Sequence, residues 1–262
     1  MFVRHLLFAS TLAFLLLPPV IVAADRKPDA TIKNASIEAS VFLGGKIKSD
    51  AALSANCLTE GKKWIDKNAA DAAAARKEDP QSFQDGGSWS FERSYSVSSD
   101  IADRYVSVVR SDYMNTHGAH PNSTVDTILW DTVQKKRISI RPFFVETADN
   151  GPTMKAMLKG VISALNAEKK QRGAGETATA EWYKGLEPKL LKIGAVTLTP
   201  STEAGRASGL TFYYPPYAVG PYAEGQYVVF VPWTTLKPYL SPEGRQVFGG
   251  NRPRSEDDTQ RR

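Results

Sequence analysis

The residues best suited to chemistry gather in one short stretch of the chain. His117 and His120 are two of only three histidines; the third is His5, near the N-terminus. Two imidazoles three residues apart can meet one metal ion on a turn or a helix, and Asp112 or Asp126 would then add an oxygen ligand. The pattern lacks the i, i+4 histidines and adjacent glutamate of a helical zinc protease, and Gly118 and Pro121 oppose a helix there. A loop whose histidines hold neighbouring groups is the simpler reading, so no metal or other cofactor is expected. Ser111 and Ser123 flank the histidines, but there is no Gly-x-Ser-x-Gly elbow to expose a nucleophile. Cys57 falls on an apolar helical stripe and reads as core. Six carboxylates, Glu92, Asp112, Asp126, Asp131, Glu146 and Glu224, are candidates for glycan hydrolysis. Its two mechanisms need a pair roughly 5 to 5.5 Å or 6.5 to 9.5 Å apart, a separation that sequence does not fix. No catalytic residue is assigned.

Aromatic side chains offer a different kind of chemistry. Tyr213, Tyr214, Tyr217 and Tyr222 are interrupted by Pro215, Pro216 and Pro221, so rings are carried on a stiff loop with little entropy left to lose. Such a surface can hold sugar rings or another protein. Glu224 closes the segment as its charged member. The competing reading is that these rings wedge strands against a helix. The candidate binding set is therefore Tyr213, Tyr214, Tyr217, Tyr222 and Glu224.

The elements that must position these residues are legible from periodicity. Residues 30–43 alternate loosely and predict a strand closed by Gly44-Gly45. Between Asp50 and Glu78 the spacing of Leu53, Cys57, Trp64 and Ile65 predicts one or two helices, with Gly61 as a weak point and Asp79-Pro80 as the stop. Residues 84–109 and 125–130 return to strand spacing, in the order expected of an antiparallel meander. Met154, Met157, Leu158, Val161, Ile162 and Leu165 then describe an amphipathic helix that starts at Gly151-Pro152. A short helix is expected within 181–191, strands at 194–198, 210–214 and 227–231, and a turn or short helix at 234–240. The predicted fold class is α+β: an antiparallel β-meander packed by one long amphipathic helix, preceded by a smaller strand-helix-strand region.

Composition narrows the function classes. With 262 residues, 42% of them hydrophobic, the chain can bury a substantial core. A formal charge of +5 spread through the sequence gives no nucleic-acid footprint. A single cysteine excludes an internal disulfide and a multi-thiolate zinc site. Arg4 and His5, the apolar run from Leu6 to Val22, and Ala23-Ala24 before Asp25 make residues 1–24 read as a secretory signal peptide. An exported protein, periplasmic or otherwise extracytoplasmic, with no membrane insertion after signal cleavage, is expected. Beyond Gly249 the tail lacks an apolar anchor, and residues 249–262 are expected to be disordered.

Two stretches carry a family resemblance. One is Tyr113-Met114-Asn115-Thr116-His117-Gly118-Ala119-His120-Pro121, leading to Val125–Trp130 and then to Ile140-Arg141-Pro142-Phe143-Phe144. The other runs from Gly209 to Gly225 and on to Val228–Trp233. In order and spacing these resemble the signatures of the exported bacterial family DUF3298 and the RsiV-like group, over about residues 111–244. The preceding half is more weakly similar to the partner domain DUF4163. The resemblance implies a DUF4163-like α+β region at 25–110 and a DUF3298-like domain at 111–248. It further implies kinship with the extracellular parts of lysozyme-sensing anti-sigma factors and with domains that accompany a peptidoglycan deacetylase. The chain departs from both patterns, having neither a cytoplasmic segment with a transmembrane helix nor room for a deacetylase. The implied function is a non-catalytic cell-envelope binding module for an envelope protein or peptidoglycan glycan. The alternative is a peptidoglycan-acting hydrolase.

Overall fold

The computed structural model describes residues 27–174 and 179–254. The expected signal peptide lies outside the described residues, as does the tail beyond residue 254. Chain order begins with β1 (Ala30–Lys33) and β2 (Ile37–Leu43), followed by α1 (Gly45–Lys48), α2 (Ala51–Glu78) and α3 (Pro80–Asp85). Next come β3 (Trp89–Ile101), β4 (Tyr105–Asn115), β5 (Asn122–Asp131) and β6 (Lys136–Ile138). These six strands form one sheet in chain order, antiparallel throughout except for the parallel pair β2 and β3. A parallel pair needs a long crossover, and α2 supplies it.

The expected first strand is a hairpin. Asn34 Oδ1 accepts from the backbone N–H groups of Ser36 and Ile37 and turns the chain between β1 and β2. Of the one or two helices expected there is one: α2 runs unbroken through the weak point at Gly61 for 28 residues. Its N-terminus is capped by Asp50, which accepts from the N–H groups of Ala52 and Leu53. Gly61 faces the sheet: a Cβ there would lie 2.7 Å from Val41 Cγ1. Leu53, Cys57, Gly61, Ile65 and Ala72 form the buried stripe, so its small members let helix and sheet approach closely. At Asp79-Pro80 the long helix stops as expected, and the same Asp79 caps α3.

The C-terminal part contains α4 (Pro152–Gln171), α5 (Thr179–Trp182) and a second sheet of β7 (Ala195–Pro200), β8 (Ala207–Tyr214) and β9 (Tyr227–Pro232). It ends with α6 (Trp233–Leu236) and α7 (Pro242–Val247). On α4 the residues Met154, Met157, Val161 and Leu165 are fully buried, as the periodicity predicts. Strand β7 packs on β3, β4 and β5, on the face of the large sheet opposite α2. Its outward N–H groups are satisfied there, Val196 donating to Thr127 Oγ1 (3.0 Å) and Leu198 to Ser107 Oγ (3.1 Å). Two apolar cores result. One lies between α2 and the large sheet, and the other unites α4, the small sheet and Tyr105, Leu129 and Ile140.

The fold is α+β. Residue 111, expected as a domain boundary, sits inside β4, and the large sheet continues to β6. Packed chain also continues past the expected tail boundary at 249. Gly249 N–H donates to Ala207 O, Trp233 Nε1 to Gly250 O, and the Arg252 guanidinium lies 4.9 Å from the Phe230 ring centre. Among the described residues no helix is long and apolar enough to cross a membrane.

Candidate functional site

The two signature stretches meet in space. The loop between β4 and β5 carries His120, and the loop between β8 and β9 carries Tyr217 and Tyr222. His120 Nδ1 lies 3.0 Å from Pro121 O and its Nε2 lies 2.9 Å from Tyr217 Oη. A carbonyl only accepts, so in the neutral ring Nδ1 carries the hydrogen and Nε2 accepts from the tyrosine hydroxyl. The His120 ring stacks on Tyr222 at 3.9 Å between centres, and Tyr217 and Tyr222 are 5.6 Å apart. Tyr222 Oη donates to Pro121 O at 3.2 Å. Tyr217 is 50% and Tyr222 36% exposed, so the cluster presents ring faces to solvent.

The backbone beneath Tyr217 is strained. Ala218 N–H donates to Pro215 O, closing a four-residue turn with Pro216 second and Tyr217 third. Tyr217 has φ +71°, the left-handed value that a turn with proline in second place assigns to its third residue, normally glycine or asparagine. A tyrosine there costs on the order of 1–3 kcal/mol.

The same turn borders a cleft of about 520 Å³, to which Pro215 and Ala218 contribute. Its other walls are Val125, Asp126, Thr127 and Leu129 of β5, Ile138 to Ile140, and the segment from Leu186 to Val196, with Tyr213 and Tyr214 inside. Loop 186–194 is pinned by Pro188 O accepting from Asn150 N–H and by Tyr214 Oη donating to Ile193 O. At the lip Leu191 is 92% exposed. A cleft of this volume with mainly apolar walls and few charged groups has the character of a binding site.

The remaining candidates fall elsewhere. Tyr214 is a core residue, while Tyr213 is half-buried with its hydroxyl 3.3 Å from Thr197 Oγ1. Glu224 accepts from Lys169 Nζ (2.8 Å) and Tyr227 Oη (2.6 Å), and Arg172 donates to the Glu224 and Gln226 carbonyls. Burial alone would push its carboxyl up; the bonds from Lys169 and Tyr227 and the charges of Lys169 and Arg172 outweigh this and hold it below the ordinary value. Glu224 thus fastens the aromatic loop to α4.

His117 turns away from His120. With φ +63° it sets its ring against Phe83 of α3, edge-on at 5.7 Å, and both ring nitrogens are enclosed without a hydrogen-bond partner. Among the described residues no three His, Cys, Asp or Glu side chains are placed to share a metal ion. Asp112 is held by Arg93 through two bonds of 2.6 and 2.7 Å, both side chains buried, with Trp64 4.4 Å from the guanidinium. Asp126 pairs with Arg110, Asp131 with Arg104, and Glu146 accepts from Ala148 N–H and from Thr153 N–H at the start of α4. Five of the six candidate carboxylates therefore hold structural partners; the sixth, Glu92, is an exposed side chain on β3. Sequence reasoning singled out Tyr217, Tyr222 and His120 separately but missed their pairing, and it missed the cleft wall at 186–194, whose only sequence signal is Leu190-Leu191 between lysines.

Residues 153–234 match the DUF3298 family, described as a protein of unknown function. This span runs from α4 into α6 and includes the aromatic loop but neither histidine. The structure is similar to a DUF3298 family protein from Pseudomonas aeruginosa PAO1, at 22% identity over 66% of this chain and 71% of that one, with a TM-score of 0.46. It is also similar to a DUF3298 family member from Bacteroides fragilis NCTC 9343, at 18% identity over 71% of this chain and 69% of that one, TM-score 0.46. No curated protein matches the chain.

Proposed function

We propose that the chain, with its DUF3298 segment at 153–234, is an exported, non-catalytic binding module of the cell envelope that holds a protein or peptidoglycan glycan. Residues 25–110 act as its DUF4163-like partner region, and residues 1–24 direct export. The observation that carries the binding reading is the exposed cluster of His120, Tyr217 and Tyr222 on a strained turn beside the cleft. Strain maintained at an exposed aromatic residue points to a use for the ring. Rigid tyrosines with polar tips suit either ligand class.

Binding without cleavage is favoured because five of the six candidate carboxylates already hold structural partners. A glycan hydrolase needs a proton donor with its carboxyl raised toward neutrality, next to a second carboxylate. Glu224 and Asp131 are instead held below their ordinary values: burial works against each, and hydrogen bonds from their partners prevail. Asp100, whose carboxyl burial and Asp103 push up, does not line the cleft. The test is retention of the purified mature protein on intact sacculi and, separately, on an envelope extract, with mass analysis of retained protein and of glycan fragments. Saturable retention without fragments is expected. New fragments would overturn the reading in favour of the hydrolase.

A further inference from the structure

A second concavity lies on the opposite face of the large sheet. Along β5 and β6 the side chains alternate, so Leu129 and Ile138 face the cleft described above while Trp130 and Arg137 face the other way, toward α2. Between α2 and the β5–β6 turn is a groove of about 560 Å³ with Asn56, Thr59, Glu60 and Lys63 on the helix side and Lys135 and Arg137 on the hairpin side. Three cations there meet one carboxylate. That carboxylate is already shared, since Glu60 accepts from both Arg110 and Arg137. The Arg137 guanidinium is fixed further by Asn56 Oδ1 at 2.7 Å. Among the described residues neither Lys63 nor Lys135 makes an ion pair, so the groove keeps an excess of positive charge.

Lys135 adds an independent observation. Asp131 Oδ1 accepts from Gln134 N–H and tightens the turn, and Lys135 follows with φ +50°. Glycine or asparagine normally fills such a position, because a Cβ there crowds the neighbouring carbonyl. A lysine held in this conformation at the rim of a basic groove is strain located where a charge is useful.

We infer that this groove binds a small organic anion, an acid group on a hydroxyl-bearing body. Lys63, Lys135 and Arg137 would face the acid, and Asn56 and Thr59 would meet the hydroxyls. The groove has room for a body as well as a charge, and Asn56 and Thr59 line the part of it that a body would meet. This inference is separate from the binding reading above, as it uses neither the aromatic cluster nor the cleft.

The experiment titrates the mature protein with glucose 6-phosphate, glucuronate and glucose by calorimetry at low ionic strength. Binding of one or both acids, and not of glucose, is expected. The phosphate and carboxylate arms separate the two kinds of acid group. Lys135→Gly is the decisive variant, because glycine relieves the turn while removing the charge. Its melting temperature should rise by roughly 2–4 °C, while affinity for the bound acid falls about tenfold. Lys63→Ala should weaken binding similarly without the rise in melting temperature. Glucose binding as well as the acids, absence of binding by both acids, or unchanged affinity in both variants would overturn the inference.

Discussion

Tyr217 and Cys57 show how surroundings decide what a reactive or aromatic side chain does. Tyr217 is exposed on a backbone that disfavours it, whereas Cys57 is fully buried on the sheet-facing stripe of α2. Burial pushes the Cys57 thiol up to about 12, with Glu60 and Asp50 adding to the effect and Arg137 opposing it. The thiolate that a labelling reagent needs is therefore scarce as well as inaccessible. Cys57 should resist a maleimide at pH 7 for hours and react fully once denaturant is added; rapid labelling of the native protein would mean that α2 opens readily. Helical spacing made the cysteine legible as core. The tyrosines were harder to sort, because Tyr213 and Tyr214 share the composition of Tyr217 and Tyr222, and only the turn at Pro215–Ala218 sends the two pairs to different environments. The setting of Glu224 was hidden for a related reason: its partner Lys169 is 55 residues away in sequence, on α4.

At the level of elements, α2 and the large sheet are set by a close approach at Gly61. Replacing a helix-interior glycine by alanine would ordinarily stabilise by about 1 kcal/mol. Here the added methyl meets Val41 at 2.7 Å, and Val41 is β-branched and fully buried, so it cannot swing aside. Overpacking of this kind costs about 1–3 kcal/mol, so the clash prevails. Gly61→Ala should lose roughly 1 kcal/mol in urea unfolding, and a stabilised variant would show that helix and sheet can separate without penalty. The same residue explains why sequence suggested a weak point: glycine lowers local propensity, but nothing in the sequence reveals the valine packed against it. Periodicity did reveal α4, whose Met154, Met157, Val161 and Leu165 are all buried. It also revealed strands β3 to β5 and β7 to β9. It missed α3 and α7, six residues each, which depend on their Asp79 and Ser241 caps and on tertiary contacts. The parallel pairing of β2 with β3 is a long-range fact that neither strand's pattern contains.

Over the whole molecule, buried or partnered carboxylates in both parts of the fold make stability depend on pH. Burial opposes ionisation of Glu60, Asp131 and Glu224, yet hydrogen bonds and charges from their partners hold all three below the ordinary range. Glu146 is lowered by its hydrogen bonds with Thr153 and Ala148. A carboxyl lowered by folding stabilises the native state above its unfolded value, about 4.5 for glutamate and 3.8 for aspartate, and that contribution is lost as pH falls through the folded value. Asp100 acts in the opposite sense, its raised carboxyl favouring the native state at low pH, but among the described residues it stands against these four and Glu187, which Lys189 lowers. The urea midpoint should therefore be flat from pH 7 to 5 and fall steadily below pH 4. A midpoint that rises on acidification would show that these pairs contribute no net stability. The same network fixes the aromatic loop, since Glu224, Lys169 and Arg172 anchor its C-terminal end while His120 and Pro121 hold its rings.

Whether those rings form a binding surface is most directly measured with Tyr217→Gly. Glycine suits φ +71°, so the variant removes the ring and relieves the turn together. The binding reading predicts an unfolding midpoint equal to or above that of the parent, together with at least a tenfold loss of saturable retention on sacculi or on envelope extract, whichever the parent binds. Undiminished retention, or a large fall in stability showing that the ring is needed to hold the fold, would contradict it.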